Sequence, residues 1–241
     1  DKDSEAPLCG IVIPVGNPPG GLPELLERLA AVVREIPGWQ FHLLLVDDGL
    51  QPPLPEFRLP DLPVSRRRHP HNRGKGAALR TGFDFFLRFP HTVAVITLDA
   101  DLQHPPERIP AFLEAFEQGR GELILGRRRR ELRCMPVHRI LSNTLTSWII
   151  SLMIGRRIRD SQCGFRLYSR QVLERIPTRE NRFHLESEFV IRCGWAGMAI
   201  GQVPVPTIYN GAPSAIRNLP DTWNFITLIF RLLKERMLGY V

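Results

Sequence analysis

The chain has no uninterrupted apolar run of the length that a membrane span requires. The longest candidate, Ile140 to Ile154, is broken by Ser142, Asn143, Thr144, Thr146 and Ser147. It falls short of the roughly 20 apolar residues that cross a bilayer. Cysteine is sparse: Cys9, Cys134, Cys163 and Cys193 stand far apart, with no Cys-x-x-Cys pair. That excludes a disulfide framework and a zinc site of familiar spacing, and suits reduced thiols in a cytosolic protein. Internal repeats are absent, and the only low-complexity segment is Arg127 to Arg130. The charged N-terminus, Asp1 to Pro7, lacks the apolar core of a signal peptide and reads as flexible. Acidic residues are in deficit, 25 against 32 Lys and Arg, for a net charge of +7. The excess favours an anionic partner: a nucleotide, a phospholipid surface or nucleic acid. With 241 residues, 43% hydrophobic and 24% charged, the chain is long enough for one α/β domain with its own core.

The most informative stretch is Val93 to Glu107. It starts as a continuous apolar run, the mark of a strand buried on both faces. It ends in Asp99, Asp101 and Gln103, and Pro105 and Pro106 then open a helix with Glu107 in its first turn. In open α/β sheets, ligands bind beyond the carboxyl ends of the strands. Oxygen donors at alternate positions there suit Mg²⁺ or Mn²⁺. The plain alternative is an acidic strand-to-helix loop with a capping Asp. Asp47-Asp48-Gly49 ends a second buried strand, either as a turn or as acceptors for a base or ribose. His71 to Gly76 is a Gly-rich turn before a helix, where the helix N-terminus and Lys75 favour an anion. Its spacing is not that of a Walker loop.

Strands are expected at Cys9 to Val15, Phe41 to Val46, Val64 to Arg68, Thr92 to Leu98, Glu122 to Leu125 and Ile200 to Val205. Another follows the loop that starts at Arg159 and ends near Tyr168. Helices are expected after Pro23, over Ala77 to Phe86, around Ile109 to Phe116, and over Val137 to Ile154, Glu188 to Trp195 and Asp221 to Leu238. This alternation predicts a mostly parallel sheet flanked by helices, in one domain.

Together these motifs resemble the GT-A glycosyltransferases of family 2, and within them the polyprenyl-phosphate sugar transferases. The resemblance runs from about Cys9 to Ile229. It is carried by Ile11 to Pro14, Val46 to Gly49, Asn72 to Ala78, Leu98 to Pro106, Gly126-Arg127, Asp160 to Arg166 and Leu185 to Glu188. It implies a Rossmann-like GT-A sheet and a metal-dependent, inverting transfer of a sugar from a nucleoside diphosphate to a polyprenyl phosphate. Pro14, Val15, Asp47, Asp48, Lys75 and Asp99 would bind the nucleotide. Asp99, Asp101 and Gln103 would hold Mg²⁺ or Mn²⁺. Asp101, Arg127, Arg139 and Arg217 would serve catalysis around the two phosphate groups. Asn143, Gln162, Gly164, Arg166, Glu186 and Glu188 would line the sugar and acceptor side. The chain departs from the family's pattern at Leu50-Gln51-Pro52, where Ser-Thr-Asp is usual, and at Ala215, where a basic residue is frequent.

A UDP-sugar is favoured over a GDP-sugar as donor. The resemblance also implies a peripheral place on the cytoplasmic face of the membrane, where the C-terminal helix would present Trp223, Ile226, Phe230, Leu233 and Met237 beside basic residues. One rival is a family 2 enzyme acting on a hydroxyl of a glycan or glycolipid. The other is a nucleic-acid-binding module, which calls for basic residues interleaved with exposed aromatics. Arg127 to Arg130 has no aromatic neighbours in sequence, so no nucleic-acid partner is expected.

Overall fold

The computed structural model describes residues 6–17, 20–128, 137–208 and 218–239, with the backbone alone for 137–139 and 218–222. Seven strands form one sheet: β1 (Leu8–Val15), β2 (Gln40–Asp47), β3 (Val64–Arg68), β4 (Thr92–Thr97), β5 (Leu123–Arg128), β6 (Arg166–Ser169) and β7 (Ile200–Val205). Their spatial order is β3-β2-β1-β4-β6-β5-β7. All run in one direction except β6, which lies antiparallel between β4 and β5. The carboxyl ends of β1, β2, β4 and β5 therefore share an edge. Because β6 is inverted, the loop that leads into it, residues 159–165, reaches that same edge.

Strand parity divides the core. On one face Cys9, Ile11, Ile13, Leu43, Leu45, Ala94, Ile96 and Ile124 meet α1 (Leu22–Arg34) and α3 (Ile109–Glu117). In α1 the buried positions Leu22, Leu25, Leu26, Leu29 and Val33 recur at helical spacing, with Pro23 in the first turn. A single 3₁₀ turn, Pro106–Arg108, precedes α3 where the two prolines predicted a helix start. On the other face Val12, Leu44, Val46, Val95, Leu123 and Leu125 meet α2 (Lys75–Leu87), α6 (His184–Trp195) and the inner sides of α4 (Val137–Ile154) and α7 (Asn218–Met237).

Several elements differ from expectation. The sixth helix begins at His184 rather than Glu188, the last begins at Asn218 rather than Asp221, and a short α5 (Arg170–Arg175) follows β6. The N-cap of α5 is Ser169, whose hydroxyl accepts from the Val172 amide at 3.2 Å.

Helix α4 is joined to its neighbours by polar groups. Asn143, Ser147 and Ser151 repeat every four residues. Ser147 Oγ accepts from the Ser161 amide at 3.1 Å, and Ser151 Oγ from the Ile158 amide at 2.9 Å. Its opposite stripe, Leu141, Leu145, Trp148 and Leu152, is exposed, as are Trp223, Phe230 and Met237 on α7. No helix among the described residues is long and apolar enough to cross a membrane.

Helix α2 lies unusually close to β1. A Cβ on Gly82 would sit 2.5 Å from Val12 Cγ1, and one on Gly10 would sit 2.5 Å from the Phe86 ring. Gly82→Ala is expected to cost up to about 2 kcal/mol, an overpacking penalty of about 1–3 kcal/mol less a gain of about 1 kcal/mol in helix propensity. Urea unfolding would show a lower midpoint at unchanged slope.

Candidate active site

The carboxyl edge gathers four polar groups of loops. At the end of β2, Asp47 and Asp48 are buried. Asp47 accepts from the amides of Leu50 (2.8 Å) and Leu54 (3.0 Å) and lies 3.5 Å from Arg68 Nε. Asp48 accepts from the amides of Arg73 (2.9 Å) and Gly74 (2.8 Å), and from His69 Nδ1 at 2.7 Å. The other ring nitrogen of His69 lies 2.9 Å from Thr81 Oγ1. The two carboxylates thus shape the pocket edge by holding the 50–54 and 69–74 loops. Val15 and Pro14 end β1 beside them, in register with Asp47 and Val46, and the Val15 carbonyl accepts from the Asp48 amide at 2.9 Å.

Asp48 thereby fixes the turn that launches α2, whose first residue is Lys75. The Lys75 ammonium reaches Asp99 Oδ1 at 2.6 Å and Glu186 Oε1 at 3.1 Å. Burial opposes the charge on Lys75, but the two carboxylates outweigh it and raise its pKa. Burial likewise works against the Asp99 carboxylate, and Lys75 overrides it and holds that carboxyl below the ordinary range. Gly164 roofs the pair: a Cβ there would lie 2.7 Å from both Lys75 Nζ and Asp99 Oδ2. Only glycine leaves this cradle open.

His104 sits beneath Asp99. Its Nδ1 accepts from the Asp99 amide at 3.0 Å, so the ring proton is on Nε2, 3.8 Å from Cys163 Sγ. Burial lowers the pKa of the ring. Burial also pushes the Cys163 thiol up to about 12, which makes it an unreactive packing group.

Beyond Asp99 the backbone is strained. Leu102 adopts φ = 63°, a conformation that costs a branched residue about 1–2 kcal/mol. Its side chain is held against Gly21, where a Cβ would come within 2.5 Å of Leu102 Cδ1. The bend aligns Asp101 Oδ1 to accept the Gln103 amide at 3.0 Å. Asp99, Asp101 and Gln103 share this short loop beyond β4.

On the other side of the cradle, Asp160 forms a two-point ion pair with Arg128, Nε–Oδ2 2.8 Å and Nη2–Oδ1 3.1 Å. Asn143 Nδ2 and the Gln162 amide also donate to Asp160 Oδ1, each at 3.2 Å. Burial opposes the charges of both partners. Each then stabilises the other, so Asp160 is lowered and Arg128 raised. Arg166 is fully buried, and its guanidinium donates to three backbone carbonyls: Cys163 (2.8 Å), Ser161 (2.6 Å) and Glu186 (2.6 Å). It braces the 160–165 loop from below.

Strand β5 pairs Arg128, rather than Arg127, with a carboxylate. Parity would have separated them, because position 128 shares the face of Ile124 and Gly126, where Cys163 and Phe165 lie. Glu186 faces Lys75, whereas Glu188 turns toward Arg192 and Arg231. Arg217 lies outside the described residues. Arg139 is in the first turn of α4, and its side chain lies outside them. Sequence reasoning passed over His69, His104 and Arg128, and gave Asp160 no role of its own. His104 had a legible signal, as it directly follows Gln103 in a string already under suspicion.

The seven-stranded sheet with its one inverted strand fits the GT-A fold that the motifs led us to expect. The profile of glycosyl transferase family 2 matches residues 10–177, and the chain belongs to that family. An uncharacterized protein of Methanocaldococcus jannaschii is 30% identical over 206 residues, 83% of this chain and 81% of its own. An undecaprenyl-phosphate 4-deoxy-4-formamido-L-arabinose transferase of Photorhabdus laumondii is 32% identical over 169 residues, 68% of this chain and 50% of its own. The chain spans about half the length of the arabinose transferases it matches. Among solved structures, glucosyl-3-phosphoglycerate synthase of Mycobacterium tuberculosis, in complex with Mn²⁺, UDP-glucose and phosphoglyceric acid, superposes with a TM-score of 0.63 at 16% identity. The match covers 95% of this chain and 79% of that one.

Lys75→Met tests the central pair. Breaking a buried ion pair costs about 3–5 kcal/mol, and the lower end applies because the Asp99 side chain is 30% exposed. In the wild type, the depressed Asp99 pKa contributes stability above about pH 4, lost as pH falls through its folded value. The raised Lys75 pKa contributes below about pH 10.4, lost as pH rises through its folded value. In the variant, burial acts on Asp99 without the Lys75 charge against it, so its pKa rises. The deficit should then shrink from pH 7 to pH 5, measured by urea unfolding at each pH.

Proposed function

We propose that the chain transfers a sugar, with inversion, from a nucleoside-diphosphate sugar to a polyprenyl phosphate. The supporting observation is the cradle beneath Gly164, where a tethered lysine and a strand-end carboxylate adjoin the loop that carries Asp101 and Gln103. Asp99, Asp101 and Gln103 fit a divalent cation. They are hard oxygen donors, and they are too few to form a closed cage, which leaves positions for diphosphate oxygens. Bound there, Mg²⁺ or Mn²⁺ would offset the charge of the departing diphosphate. Lys75, at the N-terminus of α2, adds a fixed positive charge on the same side. Arg128 and Asp160 hold the 160–165 loop over the sugar. Asp47, Asp48, Pro14 and Val15 form the nucleoside edge. UDP is the favoured nucleotide.

The acceptor is inferred from what the glutamates do. A hydroxyl acceptor needs a positioned base, whereas a phosphate monoester, with a second pKa of about 6, is already a nucleophilic anion at neutral pH. Glu186 is engaged by Lys75, and both oxygens of Glu188 accept from neighbouring donors. Neither is poised as a base, which supports a phosphate acceptor, the acceptor named for the arabinose transferases. The exposed stripes of α4 and α7 would rest on the surface of the membrane carrying that lipid, with Arg156, Arg157 and Arg159 at the end of α4 near its headgroups.

UDP with Mn²⁺ at 100 times its Kd should stabilise the fold by about 2.7 kcal/mol, a rise in Tm of roughly 5–10 °C for a chain of this size. GDP should give a smaller shift. Asp101→Asn should abolish the metal-dependent part while the apo Tm stays within a few degrees. Transfer from a UDP-sugar to undecaprenyl phosphate, with none to glycan hydroxyls, completes the test. Transfer to a hydroxyl alone would replace the lipid reading. Flotation with anionic liposomes should lose its signal when Trp223 and Phe230 are replaced by serine.

A further inference from the structure

Glu186 and Glu188 lie two residues apart on α6, about 200° around the helix, and so serve opposite sides. Glu186 meets Lys75 in the candidate active site. Glu188 is fully buried, and each of its oxygens binds a different element. Oε2 accepts from the amides of Arg179 and Glu180, both at 2.9 Å. Oε1 accepts from Arg192 Nε at 3.0 Å and from Arg231 Nη2, on α7, at 3.2 Å. Arg231 also reaches Glu180 at 2.8 Å, and Arg192 reaches Glu235 of α7 at 2.5 Å.

The 179–183 loop, tied to Glu188 on one side, covers the start of α2 on the other. The Asn181 carbonyl accepts from the Ala77 amide at 3.0 Å, one of the donors a helix start leaves without a partner. Arg80 donates to the Glu180 carbonyl and to Asn181 Oδ1. The approach is close: Cβ atoms on Gly74 and Gly76 would lie 2.5 Å from the Asn181 carbonyl oxygen and 2.7 Å from that of Arg182. The Phe183 ring centroid is 6.0 Å from Lys75 Nζ. Contacts therefore run without a gap from α7, through Arg231 and Glu188, to the loop and on to Lys75.

We propose that Glu188 and Arg231 are positioning residues that couple the seating of α7 to Lys75, so that a nucleoside diphosphate binds more tightly when α7 is seated. The ligand class rests on the function proposed above, while the coupling itself rests on the contacts alone. Because such coupling is reciprocal, the nucleotide must also tighten α7 against α6. The helix with the exposed apolar stripe would thus report to the donor site whether it is in place.

Arg231→Met removes the cation and keeps the length of the side chain. Hydrogen exchange of the ligand-free chain should show faster exchange at the amides of Arg179, Glu180 and Ala77 in the variant, with unchanged far-UV circular dichroism. Calorimetric titration with UDP and Mn²⁺ should show a Kd raised about 5–30-fold, within the usual range of allosteric coupling. Arg231→Lys should recover part of both effects. Lys234→Met, an exposed cation one turn on, should change neither. In the wild type, UDP with Mn²⁺ should slow exchange along 223–237, and Arg231→Met should remove that slowing. If Arg231→Met lowers Tm but leaves Ala77 exchange and the Kd at wild-type values, the pair is only structural and the proposal is wrong. Should that variant fail to fold, Glu180→Met, which removes the direct ion pair between Arg231 and the loop and leaves the route through Glu188, is judged by the same two readouts. A wild type that binds no UDP would overturn the functional reading, and the ligand-free exchange at Ala77 would still decide the coupling.

Discussion

The site depends on one ammonium group placed between two carboxylates. Without Lys75, Asp99 and Glu186 would face each other across a largely desolvated gap, and one of them would have to take up a proton or move away. With it, Asp99 stays ionised at the end of β4 and Glu186 stays at the start of α6, so a strand and a helix from distant parts of the chain are fixed at one point. The fold supports that point from three directions. Asp48 sets the turn before Lys75, His104 accepts the Asp99 amide, and Gly164 leaves the space above empty. The interaction is stabilising only in this arrangement, because each buried charge gains a partner that offsets its desolvation.

The inverted strand β6 has an equally direct consequence. In an all-parallel sheet, the segment leading into a strand would arrive at the opposite edge from the ligand. Reversal of one strand brings residues 159–165 to the ligand edge. There Arg166, Asp160 and Arg128 secure the loop through carbonyls, amides and a two-point ion pair. These charged groups hold the backbone of the loop in place at the carboxyl edge, beside Lys75 and the Asp99–Gln103 loop.

Much of this was legible in the amino-acid sequence, and the failures have identifiable causes. Strands β1, β2 and β4 announce themselves as apolar runs, and α1 and α3 by their periodicity. The direction of β6 was not legible, since Arg166-Leu167-Tyr168-Ser169 is buried on both faces and its orientation depends on which strands flank it. The start of α6 was placed four residues late because Phe183, its N-cap, offers no side-chain acceptor to mark it. The pairing of Arg128 with Asp160 was legible in strand parity, since position 128 shares the face of Ile124 and Gly126. The split between Glu186 and Glu188 needed the start of α6 and the position of α7, neither of which a local pattern contains.

Leu102 draws two remote segments into a single unit of variation. Its left-handed backbone is tolerated because its side chain rests on the bare backbone of Gly21, at the head of α1. Position 21 belongs to no ligand-binding motif, yet it limits the size of the residue in the middle of the acidic loop. A family member with a side chain at 21 should therefore carry a smaller residue at 102, glycine or asparagine being the least strained. The two positions form a lock and its stop, and a search for acidic motifs alone would recover only half of it.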